Sequence, residues 1–67
     1  MFSDSDKRNL EMTSQAANLL VQDIQGLVKS ANPLLADIAL EILQQAVHIE
    51  KRLQRIEAIT RTEENSA

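Results

Sequence analysis

The sequence from Leu34 to Ile59, LLADIALEILQQAVHIEKRLQRIEAI, contains the longest helical pattern in this chain. Its apolar residues recur at alternating intervals of three and four, which places them in one row along an α-helix. That row, continued to the next turn, is Leu35, Ala39, Ile42, Ala46, Ile49, Leu53, Ile56 and Thr60. Because small alanines alternate with large side chains, a neighbouring helix can approach closely, and the row predicts a helix–helix contact.

A second apolar row lies about 120° around the same helix by the rotation per residue. It consists of Ala36, Leu40, Leu43 and Val47. With both rows the apolar arc approaches about 200°, whereas the stripe of an ordinary surface helix is just over 100° wide. One neighbouring helix cannot cover such an arc, so this half of the helix predicts association with a second copy or with a different protein.

The remaining chain predicts a second helix and a tight turn. Ser3 and Asp6 have capping-box spacing ahead of a three-four apolar pattern, which predicts a helix over residues 4–31. Asn32 is a favoured N-cap and Pro33 a favoured first helical residue, so we expect a turn at 32–33, a helix over 33–62 and a frayed tail at 63–67. Such a short connection makes the helices antiparallel neighbours; one long helix kinked at Pro33 is the alternative.

A chain of 67 residues buries too little apolar surface to be comfortably stable alone. It has no cysteine and one histidine, which excludes disulfides and leaves no zinc site, so self-association or binding to a partner is the remaining source of stability. The prediction is a single all-α domain over 1–67, an antiparallel two-helix hairpin that self-associates into a homodimeric four-helix bundle. The residues predicted to make this association are Leu35, Ala36, Ala39, Leu40, Ile42, Leu43, Ala46, Val47, Ile49 and Leu53.

Catalysis is not expected. His48 is the one side chain that ordinarily titrates near neutral pH, and helical rotation places it on a polar face without a second metal ligand or a triad context. No glycine-rich phosphate loop is present, so we predict no cofactor, no metal and no enzymatic activity. The sequence has no membrane-length apolar run and no signal-peptide pattern, and a cytoplasmic protein that does not bind membranes is expected.

Two surfaces are candidates for binding a partner. Met12 and Leu19 lie off the apolar row of the first helix, although single exposed apolar residues are common. The other candidate is a basic patch of His48, Lys51, Arg52 and Arg55. The alternative interpretation of this patch is an ordinary solvated helix face. These features predict a non-catalytic regulatory or adaptor protein that binds another protein, for example as its inhibitor or modulator.

The basic patch also supports an alternative function, since clustered Lys and Arg neutralise the phosphates of RNA. A net charge of −3 and the lack of aromatic residues within the patch weigh against it. In size and layout the predicted bundle resembles the plasmid-encoded RNA-binding hairpin Rop, and the resemblance covers the architecture only. It implies a small RNA-binding regulator as the alternative to a protein-binding one.

Overall fold

Two helices that pack against each other as an antiparallel hairpin make up the structure, a computed structural model. It describes the backbone of residues 2–66 and the side chains of residues 2–62. Helix α1 spans Asp4–Val28 and helix α2 spans Pro33–Ser66, in a rod 52 Å long. This arrangement confirms the predicted all-helical hairpin, and the alternative of one long kinked helix is wrong.

The start of α1 is held by the predicted capping box. The backbone N–H of Asp6 donates to the Ser3 hydroxyl at 3.0 Å, and the backbone N–H of Ser3 donates to the Asp6 carboxylate at 3.3 Å. Asp4 and Asp6 both lie in the first turn, where negative charge interacts favourably with the helix dipole. These local interactions satisfy backbone donors that a helix start leaves unpaired.

Helix α1 ends at Val28, earlier than the predicted residue 31. The backbone N–H of Ser30 still donates to the Leu27 carbonyl at 3.0 Å, but the Ser30 hydroxyl accepts from the Asn32 N–H at 3.0 Å. Side-chain oxygens that bond to nearby backbone compete with helix continuation, and the position before a proline disfavours helical geometry. The turn therefore takes up several residues ahead of Pro33.

Helix α2 begins as predicted and extends further than predicted. The Asn32 side-chain oxygen accepts from the backbone N–H groups of Leu34 and Leu35, at 3.0 and 3.2 Å, and Pro33 is the first helical residue. The helix then runs to Ser66 rather than ending at residue 62. Side-chain-to-backbone bonds to Asn32 thus set the start of α2, as its N-cap preference indicates.

The core between the helices is small. It consists of Val21 and Ile24 from α1 and Ala39 and Ala46 from α2. Val28, Leu43 and Val47 are partly buried against these four residues. No large side chain among residues 2–62 is completely buried, so the hairpin leaves much of its apolar surface in water.

The orientation of α2 differs from the expectation that its first apolar row faces α1 and its second row is free. From the first row Ala39 is 0% exposed and Ala46 is 4% exposed, while Leu43 and Val47 of the second row pack against the same core. Large members of the first row remain exposed: Leu35, Ile42, Ile49 and Ile56. The contact lies between the two rows because the alanines let the backbones approach, which brings the neighbouring row within reach.

Gly26 offers a direct test of helix stability. A Cβ atom added at this exposed position meets nothing within 4 Å, and the backbone of the glycine has no positive φ. We expect Gly26→Ala to raise the free energy of unfolding by about 0.5–1 kcal/mol, because alanine loses less backbone entropy in a helix. Urea unfolding followed by circular dichroism measures this as a higher midpoint with an unchanged slope. As a control, the reverse change at an exposed helical site, Ala58→Gly, should lower the urea midpoint by a similar amount. If Gly26→Ala itself lowers the midpoint, the environment of Gly26 is not open.

Candidate association surface

Seven large apolar side chains lie on one side of the hairpin, which we call the apolar side. They are Leu20, Leu27, Leu35, Ile38, Ile42, Ile49 and Ile56. Their exposed fractions range from 37% to 51%. Around the axis of each helix, these residues lie about 40–100° from the core residues, and the sense of the rotation is the same in α1 and α2. Because the helices are antiparallel, this rotation turns both sets toward the same side of the hairpin. The apolar side therefore runs along most of both helices.

A groove at the end of the rod opposite the turn belongs to the same side, and we call it the chain-end groove. It is lined by Phe2, Leu10 and Thr13 from the start of the chain and by Leu53 and Ile56 from α2, with Asp6 and Asn9 at its edge. The Thr13 hydroxyl donates to the Asn9 carbonyl at 2.7 Å within its own helix. Because this bond satisfies the hydroxyl, Thr13 can contribute its methyl group to an apolar contact.

The opposite side of the hairpin is polar. Its groove, which we call the polar groove, is lined mainly by Glu11, Ser14, Gln15, Asn18, Glu50, Gln54, Glu57 and Arg61. The Asn18 amide donates to the Glu50 carboxylate at 2.7 Å, and the Gln22 amide donates to the Asn18 side-chain oxygen at 2.7 Å. Arg61 pairs with Glu57 at 3.5 Å. The hairpin thus presents one side whose polar side chains bond to one another and another side that is apolar.

The residues predicted for self-association are divided between the interior and the surface. Those within or beside the α1–α2 contact are Ala36, Ala39, Leu43, Ala46, Val47 and Leu53. Those left exposed are Leu35, Leu40, Ile42 and Ile49. Leu40 lies on the flank of α2 opposite the apolar side, so three of the exposed four share one surface.

Four residues of the apolar side are absent from the predicted association surface. They are Leu20, Leu27, Ile38 and Ile56. Leu20, Leu27 and Ile56 belong to rows that periodicity assigns to the contact between α1 and α2. Periodicity identifies a row as apolar but does not tell whether its partner is the other helix of the hairpin or another molecule.

The six residues proposed to bind a partner are all exposed, but they do not form one surface. Met12 and Leu19, at 61% and 59% exposed, lie on the part of α1 that is turned away from α2. His48, Lys51 and Arg55 lie on the part of α2 that is turned away from α1. The hairpin therefore has two separate edges. Met12 and Leu19 form an apolar edge, and His48, Lys51 and Arg55 form a basic edge.

Arg52, the remaining member of the basic patch, is placed differently from its neighbours. Helical rotation puts it beside Ile49 and Ile56, at the border of the apolar side. Glu41 lies on the same border, closer to the turn. The outer border of the apolar side along α2 thus carries one carboxylate and one guanidinium.

Neither helix, over the residues that the structure describes, is both long enough and apolar enough to cross a membrane. Within the same residues, no three His, Asp or Glu side chains come together as a set that could hold a metal ion. No protein-family model matches the chain, and no curated protein and no solved structure matches it either.

Proposed function

We propose that the protein is a non-catalytic regulatory or adaptor protein that acts by binding another protein, and that it does so as a homodimeric four-helix bundle. The observation that carries this proposal is the apolar side. Seven large apolar side chains are exposed there, whereas the core between the helices contains four buried residues, two of which are alanines.

A second hairpin is the simplest cover for such a surface. Contiguous apolar patches on a soluble protein mark interaction sites, and each half-exposed Leu or Ile gains about 1 kcal/mol when its remaining surface is buried. Pairing two hairpins through their apolar sides gives every helix two neighbours, as in other four-helix bundles. The polar grooves, with Asn18 and Glu50 bonded across them, then face the solvent.

The two edges of the hairpin are left accessible by this pairing. Met12 and Leu19 provide an apolar edge, and His48, Lys51 and Arg55 provide a basic edge that suits an acidic protein surface. A small protein with such edges and without a reactive site regulates by occupying a surface of its partner. In a dimer each edge is present twice, which increases the strength of binding to a partner with repeated sites.

A small RNA-binding regulator is the second candidate. The exposed positions of Lys51, Arg52 and Arg55 within two turns of one helix favour it, because clustered Lys and Arg neutralise phosphates. An RNA ligand predicts that affinity falls steeply as the salt concentration is raised. A protein partner bound mainly through Met12 and Leu19 predicts a much weaker dependence on salt.

The proposal is tested by purifying the protein with its ligands from its host, with and without ribonuclease. Two variants separate the edges: Met12→Ser with Leu19→Ser, and Lys51→Glu with Arg55→Glu. We expect a specific protein that survives ribonuclease, that binds again when both components are purified, and that is lost with one of the two variants. Recovery of RNA in its place, bound in a strongly salt-dependent manner, would favour the second candidate. A folded monomer in sedimentation at micromolar concentration would contradict the dimer.

A further inference from the structure

We infer that the second copy docks in the opposite direction, so that the turn of each hairpin lies against the chain end of the other and the two-fold axis passes near Gln45. This inference rests on the dimer of the proposed function. The other symmetric arrangement places both turns at the same end. Neighbouring helices are antiparallel in either arrangement, so the distribution of side chains must decide between them.

The spacing of apolar residues along α2 is symmetric about its middle. On the apolar side and in the chain-end groove, α2 carries Leu35, Ile38, Ile42, Ile49, Leu53 and Ile56. The intervals between them are 3, 4, 7, 4 and 3, which read the same in both directions. If α2 pairs with α2 of a second copy in the opposite direction, Leu35 lies opposite Ile56, Ile38 opposite Leu53, and Ile42 opposite Ile49. Every large apolar residue on this row then meets another.

Helix α1 is centred close to the same height. Asn18 bonds to Glu50 across the hairpin, so residues whose numbers add to about 68 are level in the two helices. The centre of the α2 row, at residues 45 and 46, is therefore level with residues 22 and 23 of α1. Opposite docking then brings Leu20 of one copy to within about 3 Å, along the helix axis, of the level of Leu27 of the other.

The two ends of the apolar side differ. The chain end has a groove of about 330 Å³, bordered by Leu53 and Ile56. The turn end carries two exposed apolar side chains, with Leu35 41% exposed and Ile38 46% exposed. Docking in opposite directions places these side chains of one copy over the groove of the other, at both ends. Docking in the same direction leaves the two grooves facing each other.

Charge favours the same arrangement. Glu41 and Arg52 flank the apolar row of α2 on its outer border, four residues to one side and seven to the other side of Gln45. Opposite docking about the centre of the apolar row, midway between Gln45 and Ala46, brings Glu41 of one copy to within about 3 Å, along the helix axis, of the level of Arg52 of the other. Two symmetric ion pairs result. With both turns at one end, α2 instead lies beside α1 of the second copy, where the residue level with Arg52 is Ala16.

Spin labels measure the arrangement directly, because the natural chain has no cysteine and a single label can be placed. Thr62→Cys is an exposed position near the chain end, on the outer face of α2. Opposite docking predicts a distance of about 50 Å between the two labels, from 1.5 Å per residue over 33 residues. Docking in the same direction predicts about 20–25 Å, the width of a four-helix bundle.

Charge exchange provides an independent readout. Glu41→Arg alone and Arg52→Glu alone should each weaken the dimer by about three- to tenfold, and the double variant should recover most of the affinity of the natural protein. Recovery within one hairpin is excluded, since residues 41 and 52 are about 16 Å apart along α2.

The outcomes separate this inference from the proposal beneath it. A label distance near 50 Å together with recovery in the double variant supports opposite docking. A dimer with a label distance of 20–25 Å, or a double variant weaker than both single variants, overturns opposite docking and leaves the dimer intact. A monomeric mass for the natural protein overturns both.

Discussion

The double substitution Ile42→Glu with Ile49→Glu is expected to give a folded hairpin that no longer dimerises. Both side chains are about half exposed, at 43% and 50%, so a single hairpin tolerates a carboxylate at either position. In the proposed bundle the same positions are covered by the second copy, and four unpaired carboxylates lie close to its centre. Burying an unpaired charge costs several kcal/mol, so the dimer should weaken by about a thousandfold or more. Sedimentation equilibrium over nanomolar to millimolar concentrations measures the change.

Leu40→Glu is the matched control for this variant. Leu40 is 46% exposed on the same helix, but it lies on the flank opposite the apolar side. The control should dimerise as the natural protein does. If Leu40→Glu dissociates the dimer and the Ile42 and Ile49 changes do not, the association surface is the second apolar row predicted from the sequence, and the apolar side has been misassigned.

The monomeric variant also reports how much stability the hairpin has by itself. The core of one hairpin contains Val21, Ile24, Ala39 and Ala46, and a chain of this length has little apolar surface to add. We therefore expect the circular dichroism of the Ile42 and Ile49 variant to unfold at a lower urea concentration than that of the natural protein. For the natural protein the midpoint should rise with protein concentration, since dimerisation adds to the free energy of unfolding.

The second large effect is expected for Ala39→Leu, which should destabilise the hairpin itself. Ala39 is 0% exposed at the contact between the helices. A leucine there has no space unless the helices separate, and separating them would pull Leu43 and Val47 away from α1. Overpacking of this kind costs about 1–3 kcal/mol, a large part of the stability of a small domain. A fall in the urea midpoint is the measurement.

Ala58→Leu controls for the change in side-chain size. Ala58 is exposed and lies in the same helix, so the substitution should alter stability by no more than about 0.5 kcal/mol. Equal effects of the two substitutions would mean that α2 does not approach α1 through Ala39. Because Ala39→Leu acts inside one hairpin and the Ile42 and Ile49 changes act outside it, the two predictions test separate contacts.

The local signals in the sequence were sufficient for the helix starts and for the hairpin. Ser3 with Asp6, and Asn32 with Pro33, act through hydrogen bonds and backbone angles within four residues, so their effect does not depend on the rest of the fold. The ends of the helices were less predictable. The hydroxyl of Ser30 bonds to the backbone of Asn32 and ends the helical pattern early, although the sequence alone allows Ser30 to remain helical.

The sequence by itself therefore determined two helices, their caps, their antiparallel connection and the excess of apolar surface on α2. Only the tertiary structure decided which apolar residues of α2 face α1 and which remain exposed. Two adjacent rows on α2 are comparably apolar, and from the observed orientation a rotation of about 40–60° about the helix axis, in one direction or the other, would turn either row to face α1. The small side chains of Ala39 and Ala46 select the orientation, because they allow close approach and draw in Leu43 and Val47. Ile42 and Ile49 are left in the solvent, and with them the surface that a second copy is proposed to cover.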